Sequence, residues 1–237
     1  MNYDTASAHW EQDTDNDFKN KLFFAFSVAL REIENILKDN IMKIRRAIIK
    51  RKTKETNIEL TLNLDGEGKY AGKVGIGFLE HMLELFAKHS LFDLKIMAKG
   101  DVRVDYHHLT EDIAVCLGQA LKKALGDKKG IIRYGNFELP MEETLVKCAV
   151  DISERPLLVY NVNMPKGKVG DYDVELTEEF MRALVNNGGL NLHLNLIYGS
   201  NLHHINEALF KGLAKAISQA TRIDKRIKGV MSTKGKI

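Results

Sequence analysis

A repeat constrains this chain more than any other feature. Two adjacent histidines, with a glutamate three positions after the second, occur in VDYHHLTEDIAVCLGQAL (residues 104–121) and again in GSNLHHINEALFKGLAKAI (residues 199–217), each time at the mouth of an apolar helical pattern. The preceding segments repeat as well. EHMLELFAKHSLFDLKIMAKGD (residues 80–101) and EFMRALVNNGGLNLHLNLIYGSN (residues 179–201) both read as helix, break, strand and glycine turn. A shift of 99 residues brings Met82 onto Met181, Leu91 onto Leu190 and Gly100 onto Gly199. Strands followed by helices in each copy predict an α+β architecture with two similar sheet-and-helix layers packed together. The seam is expected near residues 135–141, where Pro140 interrupts the pattern.

The chain has 237 residues, 44% of them hydrophobic, enough to bury a core without covalent staples. Its two cysteines, Cys116 and Cys148, lie in apolar runs and read as reduced, buried thiols rather than a disulfide. The longest apolar candidate, LFFAFSVAL (residues 22–30), is too short for the ~20 residues that cross a bilayer. The acidic start (Asp4, Glu11, Asp13, Asp15, Asp17) is unlike a secretory signal, so a cytoplasmic protein with no membrane partner is expected. Net charge is only +3, and the densest basic cluster, RRAIIKRKTK (residues 45–54), alternates like a solvated strand face. It lacks the interleaved aromatics of a single-strand binder, so no nucleic-acid partner is expected.

Residues 1–41 differ from the rest. A polar, acidic start leads into an amphipathic helical pattern, DFKNKLFFAFSVALREIENILKD (residues 17–39), which suits docking on the body, pairing with another chain, or no functional role. Strand-like runs follow around NIELTLNLDGEGKYAGKVGI (residues 57–76), with a turn at Asp65-Gly66.

On a helix, residues i and i+4 share a face while i+1 is turned by about 100°. His107 and Glu111 can therefore reach one metal, as can His203 and Glu207, whereas His108 and His204 point elsewhere and can be lent to a second site. His81, on the helix after GIGFLE, and His193, in the strand NLHLNLIYG, raise the total to six histidines and two carboxylates. That suffices for three imidazoles and one carboxylate at each of two metals, leaving over only His9 and His89. Such nitrogen-rich sites suit Mn, Fe, Ni or Zn, and four ligands on an octahedral ion leave two positions for water or substrate. The residues alone also admit a dinuclear hydrolase, or a metal-storage or metal-responsive binding module.

From about Met42 to Gly235 the chain resembles imidazoleglycerol-phosphate dehydratase of histidine biosynthesis. The motifs are RKTKETNIELTLNLDGEGK, GIGFLEHML, DYHHLTEDIAVCLGQAL, GIIRYG, PMEETL, DISERP, GGLNLHL, GSNLHHINEALFKGLAKA and STKG. The resemblance implies a hydro-lyase that converts imidazole-glycerol phosphate to imidazole-acetol phosphate and water, through a metal-stabilised imidazolate and a diazafulvene-like intermediate. It implies two Mn2+ per active site, with other divalent transition metals as alternatives. One metal would be held by His81, His108, His203 and Glu207, the other by His107, Glu111, His193 and His204. Glu55, in TKET, would transfer a proton near the departing hydroxyl, with Glu111 and Glu207 as the other catalytic carboxylates. Substrate would contact Glu55, His81, His107 and His203, and its phosphate Arg133, Arg155, Ser232, Thr233 and Lys234.

The implied fold is ribosomal protein S5 domain 2-like: an internal duplication with a four-stranded sheet and two helices in each half. Residues 1–41 would be an extension, 42–138 the first half and 139–237 the second. The implied assembly is a homo-oligomer of 24 subunits built from trimers, with active sites between subunits. Two positions depart from the family's usual pattern: Glu80 replaces an aspartate before the metal histidine, and Tyr106 replaces an acid before the His107-His108 pair.

Overall fold

Alternating burial turns the strand-like runs into two sheets of matching construction. The computed structural model describes residues 20–33 and 45–237. The first sheet holds β1 (Arg46–Lys52), β2 (Thr56–Asn63), β3 (Tyr70–Lys73) and β4 (Asp93–Gly100), in the order β1-β2-β4-β3. The second holds β5 (Tyr134–Met141), β6 (Thr144–Ile152), β7 (Leu157–Asn161) and β10 (Leu190–Tyr198), in the order β5-β6-β10-β7. In both, the first three strands of that order pair antiparallel and the last pairs parallel. The second half adds a two-stranded ribbon, β8 (Lys168–Val169) with β9 (Tyr172–Asp173).

Four helices accompany the sheets: α2 (Gly77–Ser90), α3 (His107–Leu125), α4 (Leu176–Gly188) and α5 (Leu202–Thr221). The fold is α+β and internally duplicated, each half a four-stranded sheet with two helices. Ile58, Leu60 and Leu62 of β2 alternate inward with the period of two that a pleated strand imposes. α3 covers β1 and β2, α5 covers β5 and β6, and the helix pairs meet across the halves, α3 on α4 and α2 on α5. At Gly118 of α3, a Cβ would come within 2.7 Å of the Leu184 carbonyl oxygen and 2.8 Å of the Gly188 nitrogen, so α3 and α4 touch backbone to backbone. Across this junction the buried side chains form one continuous core.

The break read from Pro140 falls inside β5, and so does the boundary expected at residues 138 and 139. β5 is an edge strand, where a proline's missing N–H is tolerated, so Pro140 stays in register opposite Leu145. The basic stretch at residues 45–54 is largely β1, and Arg45 ties the start of that strand to Asp65 and to the Thr221 carbonyl at the end of α5. Cys116 and Cys148 are free and buried, and burial pushes the thiols up to about 11 and about 12. Within residues 1–43, helix α1 covers residues 20–33 and exposes Leu22, Phe23, Phe24 and Phe26. The remainder of the expected helix and of the extension lies outside the described residues. Among the described residues, no helix is long and apolar enough to cross a membrane.

Candidate active site

Each histidine helix starts on a side chain that takes its first amides. The Asp105 carboxylate accepts the His107 N–H at 2.8 Å, and the Asn201 side chain accepts those of His203 and His204 at 2.9 and 3.3 Å. With both pairs in a first turn, the helical twist separates neighbours alike: ring centroids lie 6.2 Å apart in each pair, with planes at 86° and 81°. The i, i+4 partners converge instead. His107 Nε2 lies 3.9 Å from Glu111 Oε2, and His203 Nε2 lies 3.1 Å from Glu207 Oε2.

α2 brings His81 to the second of these pairs, its Nε2 3.9 Å from the same Glu207 oxygen. Ligand atoms of His81, His203 and Glu207 all lie within 4.8 Å of one another. Burial alone would push the Glu207 carboxyl up, but its ion pair with Lys211 and its contact with His203 outweigh that and hold it below the usual carboxylate range. An ionised carboxylate beside two imidazoles is a donor set that fits a divalent transition metal.

The other expected ligands stand differently. His107 and Glu111 form a pair of their own. His108 donates from Nδ1 to Asp101 at 3.0 Å, and His204 from Nδ1 to Glu143 at 2.6 Å. His193 is exposed in the middle of β10, between Ala149 of β6 and Val159 of β7. Among the described residues, His81, His203 and Glu207 make up the sole group of three or more with metal-ligand spacing.

Glu55 sits in the turn between β1 and β2. The Thr53 hydroxyl accepts the Glu55 and Thr56 amides, while the Thr56 hydroxyl and Arg51 Nε donate to buried Asp112 of α3. The Asp101 amide donates to the Glu55 carbonyl at 3.1 Å. The turn is thus pinned to the helix bearing His107, His108 and Glu111, with its glutamate exposed.

The five residues expected at a phosphate do come together. Arg133, Arg155, Ser232, Thr233 and Lys234 line one pocket of about 690 Å³, with Ser153 and Glu154. Arg133 is already committed within it: its fork donates to Asp151 at 2.7 and 3.0 Å, and Nη1 donates to the Met231 carbonyl. Arg155 is exposed, which leaves it the freer cation.

A family model of imidazoleglycerol-phosphate dehydratase matches residues 74–217. The chain belongs to the imidazoleglycerol-phosphate dehydratase family. Members of that name from Geobacter sulfurreducens and Moorella thermoacetica are 58% and 54% identical to it over 193 and 191 residues. Each match covers 81% of this chain, and 99% and 97% of the relatives. The solved imidazoleglycerol-phosphate dehydratase of Staphylococcus aureus subsp. aureus N315 superposes with a TM-score of 0.69 at 41% identity, covering 76% of this chain and 99% of that one. The enzyme from Pyrococcus furiosus, in complex with (S)-C348, gives 0.69 at 36% identity, covering 80% and 100%. As a dehydratase of this family the chain is a hydro-lyase of histidine biosynthesis. Of the two positions expected to depart from the family's pattern, Glu80 accepts the Val74 amide at 3.0 Å and closes the entry to α2, and Tyr106 packs half-buried against the core.

Asp101, Asp112, Glu143 and Lys211 were not among the expected site residues. Glu143 carried a readable signal, since the Glu-Thr of PMEETL repeats that of TKET, each at the entry to a sheet's second strand.

Proposed function

We propose that this chain converts D-erythro-imidazole-glycerol phosphate to imidazole-acetol phosphate and water, at a dinuclear site, through an imidazolate and a diazafulvene-like intermediate. The convergence of His81, His203 and Glu207 within 4.8 Å is the main support. One Mn2+ would be held by His81, His108, His203 and Glu207, and the other by His107, Glu111, His193 and His204. A single chain gathers only part of each set, which suits completion by neighbours in a cytoplasmic homo-oligomer of 24 subunits built from trimers.

Metals at these positions, when bound, supply Lewis acidity to the substrate's ring nitrogens. The chain's own groups do the rest. Arg155, Lys234, Ser232, Thr233 and Arg133 bind the phosphate and fix the distance from it to the ring. His81, His107 and His203 face the imidazole. Glu55 hands a proton to the hydroxyl on the carbon next to the ring, which departs as water while the ring's electrons form the exocyclic double bond. The proton on the following carbon then passes to the Glu55 carboxylate, restoring the acid and giving an enol, which becomes the ketone.

Turnover by metal-stripped protein, with and without added Mn2+, tests this. Metal-dependent formation of imidazole-acetol phosphate, absent in Glu207→Gln, is expected. No product from fully metallated, assembled protein would overturn it.

A further inference from the structure

The two Glu-Thr turns occupy like places, yet their carboxylates differ. Glu55 makes no side-chain hydrogen bond or ion pair with any described residue. Glu143 is held through both oxygens. Oε1 accepts the Asn201 and Ser200 amides at 2.8 and 3.3 Å and the Thr144 hydroxyl at 3.1 Å, and Oε2 accepts from His204 Nδ1 at 2.6 Å. In the first half the matching histidine, His108, finds its carboxylate in Asp101 instead. In both halves, then, the gripped histidine is the one that turns away from the glutamate on its own helix.

We propose that Glu143 is a positioning residue that presents His204 to a metal, and that Asp101 does the same for His108. The proposal rests on the reading of these histidines as ligands. An ionised carboxylate only accepts hydrogen bonds, so the ring nitrogen facing it carries the proton and Nε2 keeps its lone pair for a cation. The same contact fixes the plane of the ring. At Glu143 the amides at the start of α5 anchor the other oxygen, so the β5–β6 hairpin sets the direction of Nε2. His204 needs this more than His203 does, because Glu207 and His81 already surround His203.

Mn2+ titration of metal-stripped protein, followed by calorimetry and by the electron paramagnetic resonance of free Mn2+, tests the assignment. Wild type is compared with Glu143→Gln, Glu143→Asp, His204→Ala and the Glu143→Gln/His204→Ala double variant, with thermal unfolding of each metal-free protein. Glu143→Gln is expected to weaken one class of site by about 10- to 100-fold, and Glu143→Asp to recover part of that loss. In the His204→Ala background, Glu143→Gln should add nothing. Wild-type affinity in Glu143→Gln, or an equal further loss in the double variant, overturns the proposal while leaving His204 a ligand. Wild-type affinity in His204→Ala overturns the ligand reading and the proposal with it.

Discussion

His203 Nε2 and Glu207 Oε2 lie 3.1 Å apart, one turn along the same helix, and His81 reaches that oxygen from a helix of the other half at 3.9 Å. The carboxylate is thus the point on which the two halves converge. Replacing it by an amide keeps its shape and removes its charge. With Glu207 as a proposed direct ligand, Glu207→Gln is expected to lower Mn2+ affinity by more than about 100-fold, more than the loss of a partner around a ligand would cost. Lys211 is left without its counter-charge, so the metal-free variant should also melt below wild type. Metal titration and thermal unfolding check the two effects separately.

Glu55 stands apart from the histidines' hydrogen bonds, and its loss should show in chemistry alone. Glu55→Gln is expected to reduce kcat by about 10²- to 10⁴-fold, the usual worth of a positioned proton donor. Mn2+ affinity should stay within a factor of about two of wild type. Steady-state kinetics with a parallel titration distinguishes this from a general loss of the site.

The two arginines of the pocket proposed to bind the phosphate should behave differently. Arg155→Ala is expected to raise KM by about tenfold or more with little change in melting temperature. Arg133→Ala should raise KM and also destabilise the fold by about 1–3 kcal/mol, because Asp151 loses a bidentate partner and the segment at Met231 loses its tie. Kinetics and denaturant unfolding of both variants give the comparison.

Glu154 gives the stability a specific acid dependence. Burial would raise its carboxyl, but Lys122 and Lys128, both bonded to it, outweigh that and hold it below the ordinary glutamate range. With the folded value depressed, the unfolded chain binds the proton first. The contribution is therefore complete above the ordinary value of about 4.3 and is lost as pH falls through the folded value. Stability of Glu154→Gln is expected to fall less steeply than that of wild type below about pH 4.5. Urea unfolding across pH 3–7 measures the difference.

Gly118→Ala tests the junction of the halves. The new methyl would meet the backbone of α4 at 2.7 and 2.8 Å, where no side chain can swing aside. A loss of about 1–3 kcal/mol is expected, seen as a melting temperature lower by roughly 5 °C.

Much of this architecture was readable in the chain because it rests on short-range rules. The duplicated helix-strand order and the i, i+4 spacing of His107 with Glu111 and of His203 with Glu207 need only local periodicity. Pro140 misled because a proline marks a break only where its N–H is required, and pattern alone does not tell an edge strand from a central one. Glu143 and His204 are 61 positions apart, joined through a hairpin and a helix start, and no spacing rule connects them. Arg133 reads as a free phosphate ligand in sequence, yet Asp151, opposite Tyr134 on the neighbouring strand, already holds its fork.

The unlike fates of Glu55 and Glu143 bear on why two halves are joined in one chain. Two separate copies of a half-length unit, related by a two-fold axis, would have to use their Glu-Thr turns identically, because symmetry grants no copy a private role. Covalent fusion lifts that requirement. One turn is free to face a reactant while its counterpart serves the scaffold, a division of labour that a strictly symmetric ancestor had no means to express.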